Sequence, residues 1–329
     1  MFDVAVIGGG IAGMATAARL QRRGMTTVVL EAHGQPGGCA GFFRRSGFSF
    51  DVGATTLVDF AGDGVGAELL SDIGMPLPDS ETLPGYAAWL PDRTVMLHRD
   101  HDAWSSERLR MLGNSDAHRR FWNLLDHLAS VFWNISRRGA KLPCQTLHDA
   151  INAVRLLGIR NLPVARFLRW TLGGALKHFR LRDDRPLVGL LSMLVEDTVH
   201  SSIDHAPLIN AALGVTIRGA GLTRATGGMR GFWLRFVEHY KRLGGQLRVG
   251  CKVHDVRGRI GRYEIQTRRG VVQACQVVSA IPASLTARIA VPIVGGRLDG
   301  FVRRDADSMG GALVVFLGVP EEQVACHEF

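Results

Sequence analysis

The chain has 329 residues, 46% hydrophobic and 21% charged, with no low-complexity run and no fixed-period repeat, which excludes extensive disorder and repeat architecture and allows two cores. Its 39 Lys and Arg outweigh 30 Asp and Glu for a net +9, which points to a polyanionic partner, nucleic acid or an anionic lipid surface. The five cysteines, Cys39, Cys144, Cys251, Cys275 and Cys326, form no CxxC pair, which argues against a zinc site or a disulfide framework and fits a reducing compartment.

The first strand-like run, FDVAVI, starts at Phe2 without a basic, then apolar, leader. That start predicts a cytoplasmic protein, or one peripheral on the inner face of a membrane, since no apolar run approaches the ~18 residues a span requires. GGGIAG and a helical pattern through MATAARLQRRG follow at once. Strand, tight turn and helix place Gly8, Gly10 and Gly13 at the three positions of GxGxxG. Those positions serve the turn, the close approach of backbone to a pyrophosphate, and helix–strand packing. The free N–H groups of the helix start, at Ile11 and Ala12, favour phosphate. A second strand, TTVVLE, ends at Glu31, 18 residues beyond Gly13, the spacing at which an acid meets an adenosine ribose. Ala32 completes this candidate nucleotide site.

Pro36, Gly37 and Gly38 come next, then CAGFFRRSGFSFDVGATTL. With GGGIAG, the stretch LEAHGQPGGCAGFFRRSGFSFDVG resembles the N-terminus of the phytoene desaturase and carotenoid isomerase family, FAD-dependent relatives of the amine oxidases and of retinol saturase. The resemblance implies an α/β fold, a Rossmann-type FAD-binding domain with an inserted helix-rich substrate domain. By position it implies that Gly37 and Gly38 lie along the dinucleotide and that Asp51, Gly53, Ala54 and Thr55 approach the flavin. Arg44 reads either as a group near the phosphates or as a solvated strand arginine.

From about residue 60 to 218 the pattern is mainly helical. WLPDRTVMLH reads as a hairpin turning at Pro91-Asp92. Phe121, Leu124, Leu125, Leu128, Phe132 and Ile135 recur at helical spacing, as a core-facing helix requires. From Arg155 to Arg185 eight Lys or Arg stand against two Asp, a net +6. Within it, residues 163–182 read as one amphipathic helix. Arg166, Arg169, Lys177 and Arg180 fall within an arc of roughly 80° at helical periodicity, opposite Val164, Leu168, Thr171, Ala175 and Phe179. Trp170 flanks the basic arc, and Gly173-Gly174 is where the helix is expected to bend or break. Two readings stand: a helix docked on an anionic membrane surface, or one covering its own core with arginines in water. No nucleic-acid recognition module accompanies the charge, so no nucleic-acid partner is expected.

After this block come TRATGGMRGFWLRFVEHYKRLGG, QLRVGCKVHDVRGR, GRYEIQTRRG and VVQACQVVSAIPASL, a helix and several strands. The resemblance, clear again over 226–284, implies that helix and strands return to the nucleotide domain, that Val253 of the strand LRVGCKVHDV lies at the adenine, and that Ala280 of VVSAIP approaches the dinucleotide. The expected domains are 1–60 and 219–290 for FAD, 61–218 for substrate, and 291–329 for the start of a substrate-domain sheet. GALVVFLGVPEEQVACHEF reads as a strand of that sheet, with the glycine-rich closing segment of the family expected to be missing.

The resemblance implies an FAD-dependent enzyme that desaturates or isomerises a carotenoid or related isoprenoid polyene, in which the cofactor carries the chemistry. No catalytic residue is assigned, and neither GxSxG nor HExxH occurs. Two alternatives are an amine oxidase-like flavoenzyme on a small polar substrate and a truncated, non-catalytic nucleotide- or lipid-binding protein.

Overall fold

Six strands form the nucleotide-side sheet, in the order Gln246–Arg248, Thr27–Leu30, Phe2–Ile7, Gly270–Ser279, Arg262–Thr267, Val253–Arg259. The first three pairings are parallel and the last two antiparallel. The computed structural model describes all residues except 61, 63, 141–143, 145, 218–220, 307–312, 321 and 323–329. Phe2–Ile7 and Thr27–Leu30 are apolar throughout because the central strands of a parallel sheet are covered on both faces. Alternate side chains divide between two cores. Val4, Val6 and Val29 meet Met14, Ala17, Ala18, Phe232, Trp233 and Phe236, whereas Ala5, Ile7, Val28 and Leu30 meet Val256, Ile265 and Val272. This is the Rossmann-type fold expected of the chain.

The described residues divide into two compact units, Met1–Thr82 with those from Leu222 to Glu322, and Leu83–Gly221. Helix Val65–Ile73 belongs to the first, where Leu69, Leu70 and Ile73 join the core of Met14 and Ala17 and Asp72 pairs with Arg19 at 2.7 Å. Strand Ser80–Thr82 pairs there with Leu222–Ala225. The inserted unit therefore starts after Thr82, later than the residue-61 boundary expected from the pattern.

The inserted unit opens with the expected hairpin, Gly85–Leu90 paired to Arg93–His98 around a two-residue turn. Its core is built by helices, foremost Asp116–Arg137, capped by Ser115, which buries Phe121, Leu125, Leu128, Phe132 and Ile135. Arg108 is buried here, bonded to Asp126 at 2.9 Å with its guanidinium 4.8 Å from the Trp122 ring. Among the described residues no helix is long and apolar enough to cross a membrane.

Three stretches differ from the sequence reading. Residues 163–182 are not one helix: a 3-10 segment, Ile159–Arg169, ends at the extended Trp170, and a separate helix runs Leu172–His178. The break falls at Trp170-Thr171 because the chain there bonds across to another segment. Leu208 N–H donates to the Trp170 carbonyl at 2.8 Å, Leu172 N–H to that of Ala206 at 3.1 Å, and the Thr171 hydroxyl caps the second helix at Gly174 N–H, 3.0 Å away. Gly173 is buried, 3.3 Å from the Ile203 carbonyl at a would-be Cβ, so it serves close packing and not a bend. Trp170 is half-buried beside Phe167 and His178.

LRVGCKVHDV is two strands, Gln246–Arg248 and Val253–Arg259, on opposite edges of the sheet. Gly250, at φ +60°, turns the chain between them, where its N–H donates to the His33 carbonyl at 2.7 Å. Of the strand expected to begin the substrate-domain sheet, residues 313–320 have no strand pairing, and Phe316 packs 4.9 Å from Phe43 and 5.5 Å from Phe50. The remainder of that stretch, with Cys326, lies outside the described residues, apart from Glu322.

Candidate functional site

The site begins where strand Phe2–Ile7 meets helix Ile11–Arg22. Gly8 has φ +104°, and a Cβ there would lie 2.8 Å from Ile281 Cγ2, so only glycine makes this turn without strain. A Cβ on Gly13 would collide with the Gly8 carbonyl, which explains the third glycine by helix–strand contact. Gly10 precedes the helix without a side-chain cap, and no acid occupies the first turn. Its free N–H groups, with Ile11 and Ala12 exposed, are left for an anion.

A second glycine turn is stitched to the first. Gly37 N–H donates to the Gly9 carbonyl at 2.8 Å, and Gly37 and Gly38 have φ of +128° and +56°. The fully buried Trp233, on helix Gly228–Arg242, donates its indole N–H to the Ala40 carbonyl at 2.6 Å, which fixes this turn from the far end of the chain.

Glu31 closes the end of the second strand. Its buried carboxylate accepts from Gly9 N–H at 2.6 Å and from His33 N–H at 2.8 Å, and the His33 imidazole lies 3.1 Å away. The acid is therefore oriented by backbone before any ligand arrives.

These parts wall a cavity of about 710 Å³ within the nucleotide unit, inside the roughly 300–1,000 Å³ range of ligand sites. Gly8, Gly10, Ile11, Ala12, Glu31, Ala32, Gly37, Gly38, Val253 and Ala280 line it together, and Gly13 lies behind Gly8. Arg44, Gly53, Ala54 and Thr55 are not among its lining residues. Arg44 is exposed on the hairpin strand Phe42–Arg45, opposite Ser49. Gly53 and Ala54 run beside Cys39 of the second turn, where Ala54 N–H donates to the Cys39 carbonyl at 3.4 Å. Sequence reasoning missed His33, Lys252, His254 and Arg288, and the apolar Leu285 and Ile289, all of which line the cavity. Leu285 and Ile289 stand four apart after Pro282, a helical signal that could have found them.

The residues fit a dinucleotide. Glycine backbone and a helix start suit a diphosphate, Lys252 and Arg288 supply positive charge, Glu31 suits ribose hydroxyls, and Val253, Leu285 and Ile289 suit an aromatic base.

Asp51, at the end of hairpin strand Phe48–Asp51, accepts from Met229 N–H at 3.2 Å at the start of helix Gly228–Arg242. Burial pushes its carboxyl above the ordinary value, opposed by that hydrogen bond and by Arg224. With a raised folded-state pKa, the stabilising contribution is present below the unfolded value and lost as pH rises through the folded one. Asp51→Asn should thus raise the melting temperature at about pH 7 and leave it nearly unchanged at about pH 3. Equal shifts at both would remove the charge argument.

Residues 11–323 match the family of flavin containing amine oxidoreductases. Prolycopene isomerase 1, chloroplastic, from an Oncidium hybrid cultivar is 29% identical over 248 residues, covering 70% of this chain and 39% of that protein. A lycopene-forming phytoene desaturase from Pseudescherichia vulneris is 46% identical over 59 residues, 18% of this chain and 12% of that one. Among solved structures, a triple mutant of putrescine oxidase superposes with a TM-score of 0.63 at 18% identity, over 92% of this chain and 63% of that one. The chain thus spans about two fifths of the length of the isomerase that it matches.

Proposed function

Because this chain belongs to the flavin containing amine oxidoreductase family, whose cofactor is FAD, we propose that it holds FAD in the glycine-walled cavity and acts on a carotenoid or related isoprenoid polyene, by desaturation or cis–trans isomerisation. Bound there, FAD supplies a two-electron acceptor or donor. The residues of the chain bind and orient. The Gly10 and Gly38 backbones leave room for the diphosphate, the start of helix Ile11–Arg22 offsets its charge, and Glu31 accepts from ribose hydroxyls. Val253 and Ala280 bound the dinucleotide.

The observation that carries the substrate class is the extent of the likeness to prolycopene isomerase. The matched 70% of the chain is more than the nucleotide unit contains, so the likeness enters the inserted helical unit. The 18% identity to putrescine oxidase speaks for fold alone.

The test is expression in a host that accumulates a polyene, with pigments separated by chromatography. The parent chain should generate a new geometric isomer or a longer conjugated product that a cofactor-binding variant does not. An unchanged pigment profile from a flavin-loaded chain would sink the substrate reading while leaving the FAD site standing.

A further inference from the structure

We propose that the inserted unit docks on an anionic lipid surface through helix Leu147–Leu157 and the 3-10 segment Ile159–Arg169 that follows. This helix is apolar on two sides. Leu156 and Leu157 are half-buried against the core of their own unit. Leu147, Ile151 and Val154 point the other way, 79%, 60% and 55% exposed, and at helical periodicity they share a stripe about 60° wide. The apolar exposure continues through Ile159 at 87%, Leu162 at 41% and Leu168 at 59%. A surface helix needs one apolar face to pack. The outward one is an exposed apolar ridge of the kind that marks an interaction surface.

Charge selects the occupant. Arg155 flanks the stripe, and Arg160, Arg166 and Arg169 are exposed along the segment that continues it. The one acid of the helix, Asp149, is held in the capping box with Thr146 at its start, on the side away from the stripe at helical periodicity, and no Asp or Glu occurs from residue 150 to residue 182. Exposed aliphatic side chains bordered by cations, with no acid on that face, match acyl chains under anionic headgroups. A second copy of the chain fits less well, because apposing two such ridges brings arginines together. The surface is not the one that the sequence pattern suggested: Trp170 is committed to Phe167 and His178, and the anchor lies N-terminal to it.

The proposal does not rest on the polyene reading, and its test uses neither flavin nor substrate. The full chain is floated with phosphatidylcholine vesicles containing about 30 mol% phosphatidylserine and with phosphatidylcholine alone. The anionic vesicles should carry most of the protein, and salt at about 0.5 M should release it. Ile151→Glu with Val154→Glu, and separately Arg155→Glu with Arg160→Glu, should each lower partitioning about tenfold or more. The thermal transition should hold, because these side chains face water. Ile151→Ser with Val154→Ser repeats the apolar arm with a milder change. Equal recovery on neutral and anionic vesicles would overturn the proposal, as would well-folded variants that float like the parent. So would a parent chain that stays off vesicles and sediments as a dimer dissociated by the Ile151 and Val154 changes.

Discussion

Gly10→Val is expected to weaken FAD binding at least about 100-fold, near 2.7 kcal/mol, while leaving the folded chain almost as stable as the parent. Gly10 has φ −73°, which any residue adopts, and a Cβ there would meet nothing nearer than Gly38 Cα at 3.9 Å. The protein has room for the side chain. The added atoms instead occupy the space between the two glycine turns, where the backbone must lie against the diphosphate. Gly13→Val makes the contrast, because its Cβ collides with the Gly8 carbonyl and the fold itself must shift. Flavin titration followed by fluorescence, with thermal melts of both apoproteins, separates the cases. A Gly10→Val chain that binds FAD like the parent would show that the cofactor does not pass between the turns.

Glu31→Ala should act on stability and cofactor together. Removing the carboxylate leaves the Gly9 and His33 N–H groups without the acceptor they share. An unsatisfied buried donor costs about 1–3 kcal/mol. At roughly 2–4 °C per kcal/mol for domains of this size, the apoprotein melt should fall by several degrees. FAD affinity should fall as well, since the ribose loses its acceptor. Glu31→Gln keeps an oxygen for one of the two donors and should recover part of the stability. An Ala variant that melts with the parent would mean that the N–H groups find water at no cost.

The nucleotide half was legible in the sequence because its constraints are local. Gly8, Gly10, Gly13 and Glu31 lie within one strand–helix–strand unit whose spacing is set by covalent geometry, and Gly8, Gly10 and Glu31 line one cavity with Gly37 and Gly38. Less local features were hidden. Trp233 reaches the Ala40 carbonyl across 193 residues, a contact that no periodicity announces. Thr171 looks like one more helix residue until the Pro207 segment pairs beside it. The helix expected over 163–182, bending or breaking at Gly173-Gly174, was misplaced for the same reason, since a charge pattern at helical spacing cannot report that tertiary hydrogen bonds break the chain at Trp170-Thr171. The same pattern still located the unbalanced charge correctly, and only the apolar ridge beside it, at Leu147, Ile151 and Val154, needed coordinates to see.

The measurement that bears most directly on the central claim is the visible absorption spectrum of the purified chain after incubation with FAD and removal of the excess. Bound flavin at about one equivalent per chain, lost in the Gly10→Val variant, is the predicted result. A folded, thermally cooperative chain that stays colourless after reconstitution would contradict it.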